Sequence, residues 1–208
     1  PYYTSSSGRI SMQYDDDLFN VGGDFINDAA YTNRNELTAG MMKVGGDFSA
    51  DSHFRASGSH TVVLNGSGKQ NVSFTYSDAA FQNLKLDEAS DVVFSGYLKV
   101  AKLDSDGTAH SDGVDICGLN MNGHTLELTG NVEISGSVDL LNGELTVHGD
   151  VLHKYDPVTF NHGSMAVDGD YRIQLISTNS AGEPYYTSSS GRISMQYDDD
   201  LFNVGGDF

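Results

Sequence analysis

The sequence has no tryptophan, three prolines and one cysteine. With Cys117 alone, no intrachain disulfide can form, so stability has to come from a core. Cys117 lies in Ile116-Cys117-Gly118 with no partner pattern around it, which makes it a small, semi-buried residue rather than a nucleophile. No apolar run approaches the ~18 residues of a membrane-spanning helix, so no membrane insertion is expected of this segment. No signal peptide is visible and the first residue is Pro1, as in a piece cut from something longer. Basic residues are scarce too. Eleven Lys and Arg stand against 29 Asp and Glu, a formal net charge of -18. That balance argues against nucleic acid and against anionic membrane surfaces as partners, since both attract basic patches. Helical periodicity is missing as well. A short helix finds room only in Tyr76 to Asn83.

What is present is bend chemistry: 24 glycines and abundant Ser, Thr, Asn and Asp. The pattern is clearest from Leu119 to Asp150, LNMNGHTLELTGNVEISGSVDLLNGELTVHGD. Apolar-x-apolar pairs recur there at Leu119/Met121, Leu126/Leu128, Val132/Ile134, Val138/Leu140 and Leu145/Val147, with Gly123, Gly130, Gly136, Gly143 and Gly149 between them. Each triplet sends two side chains to one face of a strand. A helix would need apolar residues at i, i+3, i+4 and i+7. Short strands ended by glycine bends, with one face always inward, describe a β-solenoid. The fold class expected is therefore all-β: a parallel β-helix, with right-handed coiling, about 19–20 residues per rung and loop insertions. Leu126, Leu128, Val132, Ile134, Val138, Leu140, Leu145 and Val147 should share one core.

A larger repeat overlies the small one. Residues 1–25, PYYTSSSGRISMQYDDDLFNVGGDF, recur unchanged as residues 184–208. The organisation expected is one full period, 1–183, and the start of the next identical period, 184–208. A tandem array of such periods would be the parent chain. Within the period the phrase Val21-Gly22-Gly23-Asp24-Phe25 returns as Val44 to Phe48, with weaker copies around Gly130, Gly149 and Gly169. Further strands are expected at 61–64, 71–74, 84–86, 92–94, 98–100, 158–160, 165–167 and 171–175. Gly66-Ser67-Gly68 would be a corner or a local hairpin, residues 104–115 a polar insertion, and residues 177–184 a loop into the next period.

Several motifs invite a chemical reading. Gly22-Gly23-Asp24-Phe25 resembles the signature of cyclases that make cyclic dinucleotides. Its second carboxylate is missing, and the phrase recurs at 45–48 and 205–208, so it reads as a repeated corner. Equivalent corner carboxylates, Asp24, Asp47, Asp150 and Asp170, would come within reach of one another if they stack at the ~4.8 Å strand spacing. A cation could relieve their repulsion, as could hydrogen bonds to the local backbone. Asp104, Asp106, Asp112 and Asp115 form the candidate metal site. Calcium takes several oxygens at 2.3–2.6 Å, and a D-x-D-G loop can supply them; an exposed acidic loop is the plain alternative. No cofactor is required by anything in the chain. The seven histidines are scattered without an H-x-x-x-H pair, which speaks against zinc. Nucleophile elbows and phosphate loops are absent, and no catalytic residues are expected.

The phrases Val-Gly-Gly-Asp-Phe, Leu37-Thr38-Ala39-Gly40, Ala56 to Leu64 (ASGSHTVVL) and Gln70-Asn71-Val72-Ser73-Phe74 resemble those of very long bacterial repeat proteins, secreted or surface-attached β-solenoids built from units of this length. The resemblance covers most of the period. It implies an extracellular or cell-surface location and carries over no catalytic residues. Two functions follow as expectations. One is structural: a fibre, stalk or surface filament whose partners are identical repeats. The other is an adhesin that grips a surface glycan or protein, with Tyr2, Tyr3 and Tyr31 as candidate contacts.

Overall fold

The computed structural model describes residues 9–28, 35–87 and 90–208, and these contain strands and turns but no helix. The chain is a parallel β-solenoid with three faces. The first face stacks β1 (Leu18–Val21), β3 (Met41–Val44), β5 (Thr61–Leu64), β7 (Phe81–Leu86), β10 (Thr125–Leu128), β13 (Glu144–Val147), β16 (Ser164–Val167) and β21 (Leu201–Val204). The second stacks β2 (Phe25–Asn27), β4 (Phe48–Ala50), β6 (Lys69–Phe74), β8 (Asp91–Leu103), β9 (Gly107–Asn120), β11 (Val132–Ile134), β14 (Val151–His153) and β17 (Tyr171–Ile173). The third holds the bridges Met12–Leu37 and Arg55–Ala80, later parts of β8 and β9, then β12 (Val138–Asp139), β15 (Pro157–Thr159) and β20 (Arg192–Ser194).

The registers show why the sequence coils. Thr125 pairs with Glu144 and Glu144 with Ser164, 19 and 20 residues apart, matching the glycine spacing. Because each offset returns an inward residue to an inward position, like stacks on like: Leu126 on Leu145 on Met165, and Val132 on Val151 on Tyr171. All eight residues assigned to the common core are buried. At roughly 1.5–3 kcal/mol per buried apolar side chain, this interior is the main source of stability. Seven steps carry the first face from Leu18 to Ser164: through Met41, Thr61, Asn83, the β8–β9 rung, Thr125 and Glu144.

Three expectations need correcting, and one open alternative is decided. Residues 104–115 are no insertion. Residues 104–106 make a short bend after β8, and residues 107–115 lie in β9, a 14-residue strand that pairs with β8 on one side and with β10, β11 and β12 in turn on the other. A left-handed Gly113, φ 64°, helps β9 turn a corner without leaving the ladder. Residues 76–83 form no helix; a turn precedes β7. The Gly66–Gly68 stretch is a corner, since β5 pairs with β3 and β7 while β6 pairs with β4 and β8. Residues 177–184 belong to an antiparallel hairpin, β18 (Leu175–Thr178) and β19 (Pro184–Thr187), that projects from the coil.

Candidate functional site: the junction between copies

The corner phrase Gly-Gly-Asp explains how one rung holds the next. The Asp24 Oδ1 accepts from the Asp47 N–H at 2.9 Å, and Asp47 Oδ1 accepts from the Asn71 N–H at 2.7 Å. The same relation runs from Asn131 to Asp150, from Asp150 to Asp170 and from Asp170 to Asp207, at 2.8, 2.9 and 2.9 Å. Each acidic or amide side chain thus satisfies a backbone donor that the corner takes out of the ladder. The hydrogen bond from the Asn71 backbone, with help from its side chain, holds the Asp47 carboxyl below the usual carboxylate range. Backbone hydrogen bonds, one of the two remedies for stacked carboxylates, are present at these corners. They also dictate the preceding glycine: a Cβ on Gly46, Gly169 or Gly206 would stand 2.3–2.4 Å from the carboxylate of the rung before.

The 25-residue repeat gives the ladder its significance. In the first copy β1 pairs with β3 on one side, and no described strand pairs with its other edge. In the second copy the same residues, Leu201–Val204, form β21, and there the corresponding edge is paired, with Ser164–Val167 of β16. Phe202 and Val204 pack against the core as Val21 does, whereas Phe19 is exposed at the open edge. Phe160 and Tyr171 meet Phe202 at ring separations of 5.8 and 5.0 Å, and Tyr171 stacks on Phe208 at 5.8 Å. The counterpart of Phe208, Phe25, opens an aromatic cluster with Phe48 and Phe54. The rungs before the second copy therefore end on aromatics, and the second copy meets them with its own.

The Asp-Asp-Asp run adds contacts that the sequence alone did not assign. Asp17 Oδ2 accepts from the N–H groups of Gln13 and Tyr14, and Asp200 does the same for Gln196 and Tyr197. In the second copy Asp200 also accepts the His162 N–H at 2.8 Å. The His162 ring lies 3.8 Å from that of Tyr197, with Nδ1 2.9 Å from Asp199. Slight desolvation opposes the Asp200 charge, but the three backbone donors outweigh it and lower its pKa. The hint in the sequence was that this acidic run stands next to the repeated phrase in both copies.

The four candidate calcium ligands are not drawn together. Asp104 meets Lys85 Nζ at 3.0 Å, Asp106 Oδ1 accepts the Thr125 N–H at 2.7 Å, Asp112 pairs in register with Ser95, and Asp115 lies 3.6 Å from Lys154. Among the described residues no group of three His, Cys, Asp or Glu could hold a metal ion. The exposed histidines meet carboxylates of other rungs instead: His110 with Asp91, His124 with Asp106, His148 with Asp168. Cys117 is partly buried with its thiol toward the Leu98 carbonyl, 3.4 Å away, and burial pushes its pKa up. Tyr2, Tyr3 and Tyr31 lie outside the described residues; Tyr185 and Tyr186, the second-copy counterparts of the first two, are exposed on the hairpin.

Comparison with protein-family models, with curated proteins and with solved structures finds no match to this chain.

Proposed function

We propose that the chain is a segment of an extracellular fibre, stalk or surface filament made by stacking tandem solenoid periods, with a structural rather than a catalytic role. The observation that carries this is the seating of the second copy. Leu201–Val204 occupies the first face one step beyond Ser164–Val167, in the orientation that Leu18–Val21 holds at the other end. A sheet edge left open is a template for further pairing, and here the template is met by the chain's own repeat. Each rung touches only its neighbours, so the number of periods sets the length of the rod without altering any contact. The resemblance of the phrases to bacterial surface repeats supports the location. A second reading, an adhesin, draws support from the aromatic hairpin that leaves the coil at the junction.

Eight strand-to-strand steps separate Leu18 from Leu201. At ~4.8 Å per step the axial period is about 38 Å. Fibre diffraction from a multi-period stretch of the parent protein should show that spacing beside the strong reflection near 4.8 Å. Spacings unrelated to eight strands would reject the fibre reading.

A further inference from the structure

The hairpin β18–β19 stands over the outer side of the second face and closes one flank of a groove of about 330 Å³. The floor of that groove comes from residues in register on three successive rungs, Glu133 on β11, Leu152 on β14 and Arg172 on β17. The wall is the cross-strand pair Ile176 and Tyr186. Tyr186 is 66% exposed, so its ring offers a free apolar face with a hydroxyl at its tip.

We propose that this groove binds a neutral oligosaccharide. The inference deepens the adhesin reading and does not depend on the fibre. Three features point to that ligand class. First, a sugar ring has one face of C–H groups and a rim of hydroxyls. Tyr186, Ile176 and Leu152 supply an apolar surface for the former, and Glu133, Arg172 and Gln174 supply acceptors and donors for the latter. Second, the polar groups are held before any ligand arrives. Arg172 donates Nη2 to Asp170 Oδ2, and Asp170 is fixed by accepting the Asp207 N–H. Glu133 is held by Lys154, which also reaches Asp115. Preorganisation of this kind reduces the entropy lost on binding. One of the five N–H donors of Arg172 is used in that contact, and among the described residues the others are left for a ligand. Third, charge selects against the obvious competitors. Glu133 and Asp150 line the groove in a chain of net charge -18, which repels polyanions. The volume sits at the lower end of the ~300–1,000 Å³ found for small-molecule sites, and the open side leaves room for a chain of sugars.

The hairpin is formed partly by the first period, Leu175–Thr178, and partly by the start of the second, Pro184–Thr187. In an array the groove would recur at every junction, on one side of the rod. Individually weak sites spaced by one period would then act together on a polymeric glycan.

The test uses the full 208-residue chain and four probes: cellotetraose, chitotetraose, maltotetraose and mannotetraose, titrated by calorimetry and by saturation-transfer NMR. At least one should bind with a Kd of about 1 mM or tighter. Tyr186→Ala, on an exposed ring, should weaken that binding at least tenfold with unchanged thermal stability. Tyr76→Ala, an exposed ring outside the groove, should leave it alone. Tetralysine serves as a charge control. No binding of any of the four sugars, binding that Tyr186→Ala leaves unchanged, or binding of tetralysine in their place would overturn the proposal. None of those results would touch the axial period, so the fibre reading would stand or fall separately.

Discussion

His60 is the residue least at ease in this fold. Its ring is fully buried beside Phe54, and neither ring nitrogen has a hydrogen-bond partner. Burial holds its pKa down at about 4, against an ordinary 6.5. The folded state keeps His60 neutral while the unfolded chain takes up a proton below pH 6.5. The stabilising preference is therefore complete above about 6.5 and is lost as pH falls through 4. Between pH 7 and 5 this one residue should cost about 2 kcal/mol of stability. His60→Leu should raise stability at pH 7 and flatten the dependence between pH 7 and 5; urea melts at the two pH values measure both. An equally steep dependence in the variant would place the titration elsewhere. His153 is buried too, and burial lowers its pKa, but it is satisfied by the Tyr171 hydroxyl at 2.8 Å and the Asp156 carbonyl at 2.7 Å. At a plain core position, Leu128→Asp should cost several kcal/mol by burying a charge with no partner. A heat-stable variant would show that Leu128 does not face the core.

The corner is the unit that makes strands into a coil. A strand needs a partner for each backbone donor, and the bend removes one at every turn. The Asp or Asn ladder restores it from the preceding rung. Asp47→Ala should remove the acceptor of the Asn71 N–H and cost about 1 kcal/mol. Asp47→Asn should cost less than half of that, because Asn131 already performs the same task for Asp150. Thermal melts of the two variants measure it, and equal losses would mean that the oxygen is not what matters. The elements most legible in the sequence were those where inward pairs and glycines alternate, β10 to β17, whose registers repeat at 19 and 20 residues. β8 and β9 were less so. β9 passes two corners without a Gly-Asp phrase and carries polar residues outward, so Asp104 to Asp115 looked like an insertion. Its inward residues Ala109, Val114, Ile116 and Leu119 are spaced to meet Leu128, Val132, Ile134 and Val138, which is the signal that identifies it. The hairpin was missed because Leu175 to Thr178 and Pro184 to Thr187 find each other only across the period boundary. The four aspartates share a stretch of sequence but form no cluster, since a strand that turns corners sends residues of one rung to different faces.

Across the whole molecule, the two copies of the strand Leu-Phe-Asn-Val are related by translation along the coil. Composition contributes to this through charge. A net charge of -18 opposes sideways approach of two copies, while the rungs within the chain are held along the axis by backbone pairing and a continuous apolar core. Leu18–Val21 and Leu201–Val204 sit on one face of one coil, eight steps apart. Asn20 and Asn203 are exposed equivalents within those strands. Both can be changed to cysteine and spin-labelled in a Cys117→Ser background, and their separation read by pulsed electron paramagnetic resonance. Eight steps of ~4.8 Å give a distance centred near 38 Å, broadened by the label arms. A distribution centred below about 25 Å, or two unrelated populations, would show that the copies do not continue a single solenoid.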